Sequence, residues 1–223
     1  MMKASEYKTK CPYRDDCDSH ISSPWGFTHA KSPDLNGKVL LIVGLNANES
    51  SLNLGDLNSK EYSNYAKGLI RGEVKKVKYK CLSNLMQPIA RFLNDNDSTE
   101  FQLSALEHLN WCNIISCCPP PNTRRSKPTR NMIACCKRRL KEDQSHELIN
   151  RISTIKPTHI LVVGNDAKAI WQDVDCPDSE LRNALNNITP RPAIVFSKHP
   201  SQTNITRLAY WDEVYSALSR RER

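Results

Sequence analysis

Two short apolar runs restrict the fold of this chain more than any other part of its sequence. Residues 39–43 and 160–163 are continuous stretches rich in Val and Ile, and a glycine follows each of them. Such runs are typical of strands that are buried on both faces, as in a parallel sheet. Residues 193–196 and 111–115 have a similar character and are two further candidate strands.

Helix-like stretches lie between and after these runs, at residues 82–94, 131–155, 166–171 and beyond, and 207–221. Within 131–155, apolar residues recur at helical spacing, and charged residues occupy the other positions. Strands that alternate with helices favour a parallel sheet covered on both faces. We therefore predict an α/β fold, a three-layer α/β/α arrangement around a central, mainly parallel four-stranded sheet. It forms one domain over 1–223, with a polar insertion at about 49–80 and a loop at about 117–136.

Polar segments follow three of the predicted strands. They are residues 44–48, 113–117 and 198–201. Because an open parallel sheet binds its ligands at the carboxyl ends of the strands, these segments could converge in one cleft. The candidate site is therefore at that edge of the sheet.

The charge of the chain indicates its class of partner. There are 32 Lys and Arg against 24 Asp and Glu, which leaves a net charge of +8. Such an excess favours a polyanion, and much of it lies between residues 124 and 141, although a solvated basic face would look the same. Residues 1–10 lack the apolar core of a signal peptide, and no run reaches the roughly 18 apolar residues of a membrane span. We expect a cytoplasmic protein without a membrane partner.

The chain contains nine cysteines, and in a reducing compartment they are expected to be metal ligands or buried thiols and not disulfides. Two of them precede the first strand, and four flank the basic loop: Cys11, Cys17, Cys117, Cys118, Cys135 and Cys136. Thiolates brought together from these two places suit a zinc ion or a four-iron cluster, and spacing alone does not choose between them. Cys81, Cys112 and Cys176 fit small apolar side chains better.

An ordered set of motifs resembles the uracil-DNA glycosylase superfamily, and within it the iron–sulfur group usually called family four. The matching pieces are Leu-Leu-Ile-Val-Gly at 40–44, Asn-Ile-Ile-Ser-Cys at 113–117, Ile-Ala-Cys-Cys at 133–136, the strand ending in Gly at 156–164, and His-Pro-Ser at 199–201. No single piece is specific, but their order spans most of the chain. The resemblance implies a DNA partner, a monomer and base-excision chemistry.

The resemblance also implies a 4Fe–4S cluster. Its ligands would be Cys11, Cys17, Cys117 and one of Cys135 or Cys136. Cys136 is preferred because Leu140 then takes the place of an apolar residue that follows the family's cysteine. The spacing between the first two cysteines is longer than in the family, which bears on ligand identity.

The first motif departs from the corresponding motif of the iron–sulfur group, which looks like Gly-Glu-Ala-Pro-Gly. Here the residues are Gly44-Leu45-Asn46-Ala47-Asn48, closer to the Gly-Ile-Asn-Pro-Gly and Gly-Met-Asn-Pro-Gly of the mismatch-specific and single-strand-selective branches. The resemblance therefore implies Asn46 as the catalytic polar residue and His199 as its partner. Asn46 would hold the attacking water, and His199 would stabilise negative charge on the departing base.

Further residues take roles from the same resemblance. Asn113 would read the pairing edge of a flipped-out base, Tyr79 would stack on it with Tyr62 and Tyr65 as alternatives, and Gly44 and Ser201 would complete the base site. Residues 202–207 would enter the duplex with Ile205 as a wedge. The predicted DNA contacts are Arg124, Arg125, Lys127, Arg130, Lys198 and Arg207.

The base itself is left open by the sequence. The insertion at 49–80 lies where a pocket wall is expected, so plain uracil and a bulky phage base, such as glucosylated hydroxymethylcytosine, are both candidates. The second would make the protein an antiphage defence enzyme. A non-catalytic DNA-binding protein of the same fold and a zinc-binding nucleic-acid module are the alternatives from other classes.

Overall fold

The computed structural model describes residues 27–28, 34–46, 67–68, 70–71, 73, 80–96, 98–115, 128–200 and 207–220. Its strands are β1 (Phe27–Thr28), β2 (Asp34–Leu35), β3 (Lys38–Asn46), β4 (Asn110–Ile115), β5 (His159–Val163) and β6 (Ala193–Ser197). Its helices are α1 (Lys80–Asn94), α2 (Thr99–Glu107), α3 (Arg130–Glu142), α4 (Glu147–Ile155), α5 (Asn165–Val174), α6 (Glu180–Asn186) and α7 (Arg207–Ser219).

Four parallel strands form the centre of the sheet, in the order β4-β3-β5-β6. The short β1 pairs antiparallel with the outer side of β4, and β2 pairs antiparallel with the start of β3. All four strands predicted from the apolar runs are present, and the predicted three-layer α/β/α architecture is confirmed.

The helices cover both faces of the sheet and enclose two hydrophobic cores. Alternation along β3 sends Leu41 and Val43 to one face and Leu40 and Ile42 to the other. The first core lies against α3, α4, α5 and α6, and the second against α1, α2 and α7. Because both faces of β3 are buried, its sequence is a continuous apolar run rather than an alternating one.

A tight hairpin connects β2 to β3. Its turn residues are Asn36 and Gly37, whose φ values of +54° and +72° lie in the left-handed region. Asn-Gly is the pair that two-residue hairpins favour, because both positions need a positive φ. The sequence prediction omitted this hairpin, as well as β1, α2 and α6.

The stretch 131–155 was predicted as one helix-like unit, and this prediction was wrong in detail. The chain forms α3 and α4 there, separated by residues 143–146. His146 begins α4 as its N-cap, and its Nδ1 accepts a hydrogen bond from the Leu148 backbone N–H at 3.2 Å. Apolar spacing continues across the break because both helices bury one side in the first core, so periodicity alone could not reveal it.

Among the described residues, no helix has the length and apolar character needed to cross a membrane.

His146 makes the stability of the fold sensitive to acid. Its side chain is fully buried, and burial together with the nearby Arg139 guanidinium lowers its pKa to about 3. The unfolded chain binds this proton near pH 6.5, so below that pH the unfolded state holds more protons and the free energy of unfolding falls. The contribution to stability is thus present above pH 6.5 and is lost as the pH falls toward 3.

We expect His146→Asn, which keeps an N-cap acceptor that does not titrate, to remove this sensitivity. Between pH 7 and pH 5 the wild-type protein should lose about 2 kcal/mol more unfolding free energy than the variant. Urea unfolding at a series of pH values measures the difference. Parallel pH profiles for the two proteins would contradict the assignment.

Candidate active site

The carboxyl ends of β3 and β5 define the place where this fold can form a crevice. The two strands are neighbours, but the helices after β3 pack in the second core and the helices after β5 pack in the first. The described helices that follow the two strands therefore cover opposite faces of the sheet. This is a topological switch point, the usual ligand site of an open α/β sheet.

Asn113 lies on β4 directly opposite Gly44 of β3. Its side chain is 2% exposed, and its Oδ1 accepts a hydrogen bond from the indole Nε1–H of Trp111 at 3.3 Å. A Cβ atom on Gly44 would lie 2.6 Å from Asn113 Oδ1 and 3.4 Å from Trp111 Nε1. Gly44 is therefore required because the two side chains lie over its backbone.

Asn46 is the last residue of β3 and pairs in register with Ile115, the last residue of β4. It follows Gly44 by two residues, beyond the point where β3 pairs with β5 at Val43 and Val162. The backbone of Asn46 thus stands at the carboxyl edge of the sheet, beside the strand that carries Asn113. Nothing is described of its side chain.

His199 reaches the same edge from the end of β6. The turn after β5 comes close to it, since a Cβ on Gly164 would lie 3.5 Å from both Cβ and Cδ2 of His199. Gly164 has φ of +101° and donates its N–H to the Ser197 carbonyl at 2.8 Å. A glycine is needed here, because other residues rarely adopt that φ. Gly164 therefore anchors the chain just before His199.

The segment that carries His199 is also held from the side of α7. The Tyr210 hydroxyl donates to the Lys198 carbonyl at 3.1 Å, and the Ser197 hydroxyl donates to the same oxygen at 3.1 Å. Lys198 Nζ lies 3.8 Å from Glu213 Oε2. These contacts fix the backbone immediately before His199, which is the pre-organisation that a catalytic side chain requires.

His199 is half-buried, and burial lowers its pKa below the usual value for histidine. The neutral imidazole is therefore the main form at pH 7. A neutral imidazole has one N–H donor and one acceptor, so it can donate a hydrogen bond without adding a full positive charge.

The other predicted DNA and base contacts are only partly described. Arg130 is exposed at the start of α3, and Lys198 is exposed just after β6. Arg207 is the first residue of α7, and its side chain is not described. Tyr79, Ser201, Arg124, Arg125 and Lys127 lie outside the described residues, as do Tyr62, Tyr65 and Ile205.

Only one of the preferred cluster ligands, Cys136, lies among the described residues; Cys11, Cys17 and Cys117 lie outside them. Cys136 is on the buried stripe of α3 with Met132 and Leu140, and its neighbour Cys135 is half-buried. Within the described part of the chain, no three His, Cys, Asp or Glu side chains come together as metal ligands would.

Cys112 behaves as the sequence prediction expects of a structural thiol. It is completely buried in the first core, and burial raises its pKa to about 12. The thiolate form is the one that binds metals, so this side chain is a poor ligand in its present environment.

Three residues of the site were not selected from the sequence: Trp111, Gly164 and Tyr210. Trp111 precedes Asn113 by two residues and therefore shares its face of the sheet. The two-residue spacing in the sequence could have predicted this. Gly164 was noted only as the end of a strand. Tyr210 lies on a different element from its partner Lys198, and no sequence pattern predicts that contact.

No protein-family model matches this chain, and no curated protein matches it either.

The contact between Gly44 and Asn113 can be tested by a double-mutant cycle. We expect Gly44→Ala to lower the free energy of unfolding by about 1–3 kcal/mol, because the added methyl overlaps Asn113 Oδ1. In an Asn113→Ala background the same substitution should cost much less, since the overlapping atom is gone. Urea unfolding of the four proteins gives the coupling free energy. Additive costs would show that the two residues do not compete for this space.

Proposed function

We propose that this protein is a monofunctional DNA glycosylase, which hydrolyses the N-glycosidic bond of a flipped-out pyrimidine and leaves an abasic site. The observation that carries the proposal is that Asn46, Asn113 and His199 all lie toward the carboxyl ends of parallel strands in one sheet, on β3, on β4 and just after β6. These are the residues to which the glycosylase resemblance gives catalytic and base-reading roles. The enzyme would act as a monomer on DNA.

The reaction needs an anion stabilised on the leaving base. Cleavage of an N-glycosidic bond passes through an oxocarbenium-like sugar, and negative charge develops on a base carbonyl oxygen. His199 is suited to this because burial keeps it neutral, and its N–H can donate to that oxygen. The hydrogen bond strengthens as charge develops, so it favours the transition state over bound substrate.

The reaction also needs a water molecule next to the sugar carbon. Asn46 has an amide with both donor and acceptor groups, which can hold a water in the attacking orientation. Its backbone stands at the end of β3, one strand from β4, which carries Asn113. A base read by Asn113 would thus bring its sugar toward the part of the edge where Asn46 stands.

A DNA partner is supported by charge. The chain has a net charge of +8, and the exposed Arg130 and Lys198 are among the residues proposed to contact phosphate. Lysines 137 and 141 of α3 pair with Asp173, which leaves less of that basic face for phosphate. Sequence-independent phosphate contacts hold the duplex while one base turns into the site.

The proposed 4Fe–4S cluster would be structural. Cys136 or its neighbour Cys135 would supply the ligand from α3, and Cys11, Cys17 and Cys117 would supply the others. Such a cluster would tie the amino-terminal residues to the loop before α3.

Release of a base from DNA is the direct test. We expect the protein to form alkali-labile abasic sites in uracil-containing oligonucleotides, and His199→Ala to slow single-turnover release about 10²–10³-fold, since it removes the donor to the developing anion. Asn46→Ala should slow it about 100-fold through loss of the positioned water.

His108→Ala is the matched control. His108 is also half-buried, but it lies just before β4 begins, at the opposite edge of the sheet. It should retain full activity. If neither uracil-containing DNA nor phage-modified DNA loses a base, the protein is not a glycosylase for these substrates. DNA binding that survives both Asn46→Ala and His199→Ala without any catalysis would favour a non-catalytic DNA-binding role.

The cluster can be tested separately from activity. We expect the pure protein to be brown and to contain iron and sulfide, and Cys136→Ser to lose both colour and iron. Cys135→Ser tests the alternative fourth ligand, and Cys176→Ser is the control, because it replaces a half-buried thiol that belongs to neither ligand set. A colourless preparation that contains zinc would show that the site binds zinc instead of an iron–sulfur cluster. Loss of iron in Cys135→Ser instead of Cys136→Ser would reassign the fourth ligand.

A further inference from the structure

We propose that the outer edge of β6 is a docking site for an extended, acidic peptide segment of another protein, which adds to the sheet as a further strand. The inference is independent of the proposed function, because it concerns the backbone along β6 and not the chemistry at the strand ends. Three observations carry it: unpaired backbone groups on β6, an open groove beside them, and a surplus of positive charge in that groove.

β6 is the last strand of the sheet, and no strand of the described residues pairs with its outer side. Its inner side is fixed by two hydrogen bonds. The Ala193 N–H donates to the Thr158 carbonyl at 2.9 Å, and the Ser197 carbonyl accepts from the Gly164 N–H at 2.8 Å. Ala193 and Ser197 therefore turn their backbone groups toward β5.

The direction of the other residues of β6 follows from these two. Successive residues of a strand direct their backbone groups to opposite sides, so Val195 also pairs with β5. Ile194 and Phe196 then direct both N–H and C=O outward. Pro192, just before the strand, has no N–H to offer. The edge thus presents two donors and two acceptors in the alternating pattern that an added strand requires.

An open groove of about 780 Å³ runs beside this edge. Trp171 and Gln172 of α5 and Arg182 of α6 line it together with residues of β6. Ile194 and Phe196 are half-buried there, on the face of the sheet that packs in the first core. An added strand would place alternate side chains next to these two, so apolar contact would accompany the backbone pairing.

The charge of the groove indicates the chemistry of the partner. Arg182 and Arg191 both pair with the same carboxylate, that of Asp175. Arg191 lies 3.6 Å from Asp175 Oδ1 and keeps 41% of its side chain exposed, so its guanidinium can also bind a second carboxylate. Lys168, whose Nζ lies 5.5 Å from the centre of the Phe196 ring, adds another positive charge. An acidic side chain at the Arg191 end of the added strand would be stabilised.

A second copy and a nucleic acid fit this edge less well. Antiparallel pairing of two β6 strands about Val195 would bring Arg191 of each copy close to Lys198 of the other, and each chain has a net charge of +8. A phosphate backbone could accept from the outward N–H groups, but it would also meet the outward carbonyl oxygens and the Asp175 carboxylate, which repel it. An extended peptide uses both the donors and the acceptors.

Amide hydrogen exchange, followed by NMR, tests the edge in the unmodified protein. We expect the N–H groups of Ile194 and Phe196 to exchange at least about tenfold faster than that of Val195, because only Val195 is paired. Slow exchange at both outward positions would show that a second copy or another part of the chain covers the edge, and would overturn the inference.

A displayed library of short random peptides, selected against the whole protein, tests the partner chemistry. We expect enriched sequences that have apolar residues at alternate positions and Asp or Glu at one end. Binding of such a peptide should slow amide exchange at Ile194 and Phe196 about tenfold or more. The inference fails if no sequence is enriched, if the enriched sequences are basic or uncharged, or if a single-stranded oligonucleotide displaces the peptide from the edge.

The backbone pairing is tested at residue 194. Ile194→Pro removes the outward N–H and leaves the pairing with β5 in place, whereas Ile194→Ala removes the same side chain and keeps the N–H. We expect Ile194→Pro to bind the enriched peptide about tenfold more weakly than Ile194→Ala, which corresponds to one hydrogen bond. Equal affinities would overturn the inference. Thermal unfolding checks that both variants fold, and if Ile194→Pro does not, the amide exchange of the unmodified protein decides.

The charge is tested with a matched pair of arginines. We expect Arg191→Gln to weaken peptide binding about tenfold, because it removes a charge-assisted hydrogen bond to the acidic residue. Arg91→Gln is the control: Arg91 is 49% exposed and lies 4.0 Å from Asp212, but it is on α1, which packs in the second core. It should bind the peptide as the wild type does. An affinity that Arg191→Gln leaves unchanged would contradict an acidic partner.

Discussion

The pairing of β3 with a strand on each side is the constraint on which the rest of the structure depends. β3 forms parallel ladders with both β4 and β5, so all of its backbone groups in the paired region have partners and both of its faces must be covered. The helices that provide this cover divide between the two faces, and that division makes the ends of β3 and β5 a topological switch point. The candidate site is thus a consequence of how the central strand is buried.

Two glycines lie next to the candidate side chains at this edge of the sheet. Gly44 admits Asn113 and Trp111 over the backbone of β3, and Gly164 lets the turn after β5 approach His199. Of the two glycines that stop the apolar runs, Gly44 is the one where a Cβ would overlap a candidate functional residue, Asn113, whereas Gly164 is required by its positive φ. The residues that end the strands therefore also form part of the candidate site.

The fold was largely predictable, and the reasons can be stated for particular elements. Residues 39–43, 111–115, 160–163 and 193–196 are short, apolar and rich in β-branched residues, which favours strands, and each was found as a strand. The break at His146 was not predictable from spacing, because α3 and α4 bury their apolar residues in the same core. The hairpin at Asn36-Gly37 had a clear local signal that was overlooked.

The sequence by itself determined the strands, the alternation with helices and the polar residues at the strand ends, since these depend on local periodicity and on which side chains can be buried. Only the tertiary structure decided that Gly44 lies opposite Asn113, that Gly164 approaches His199 and that Tyr210 holds Lys198. It also decided the orientation of the Asn113 amide, through Trp111. Contacts between strands depend on the register of the strands and on the path of the chain between them. The sequence of one strand determines neither of these.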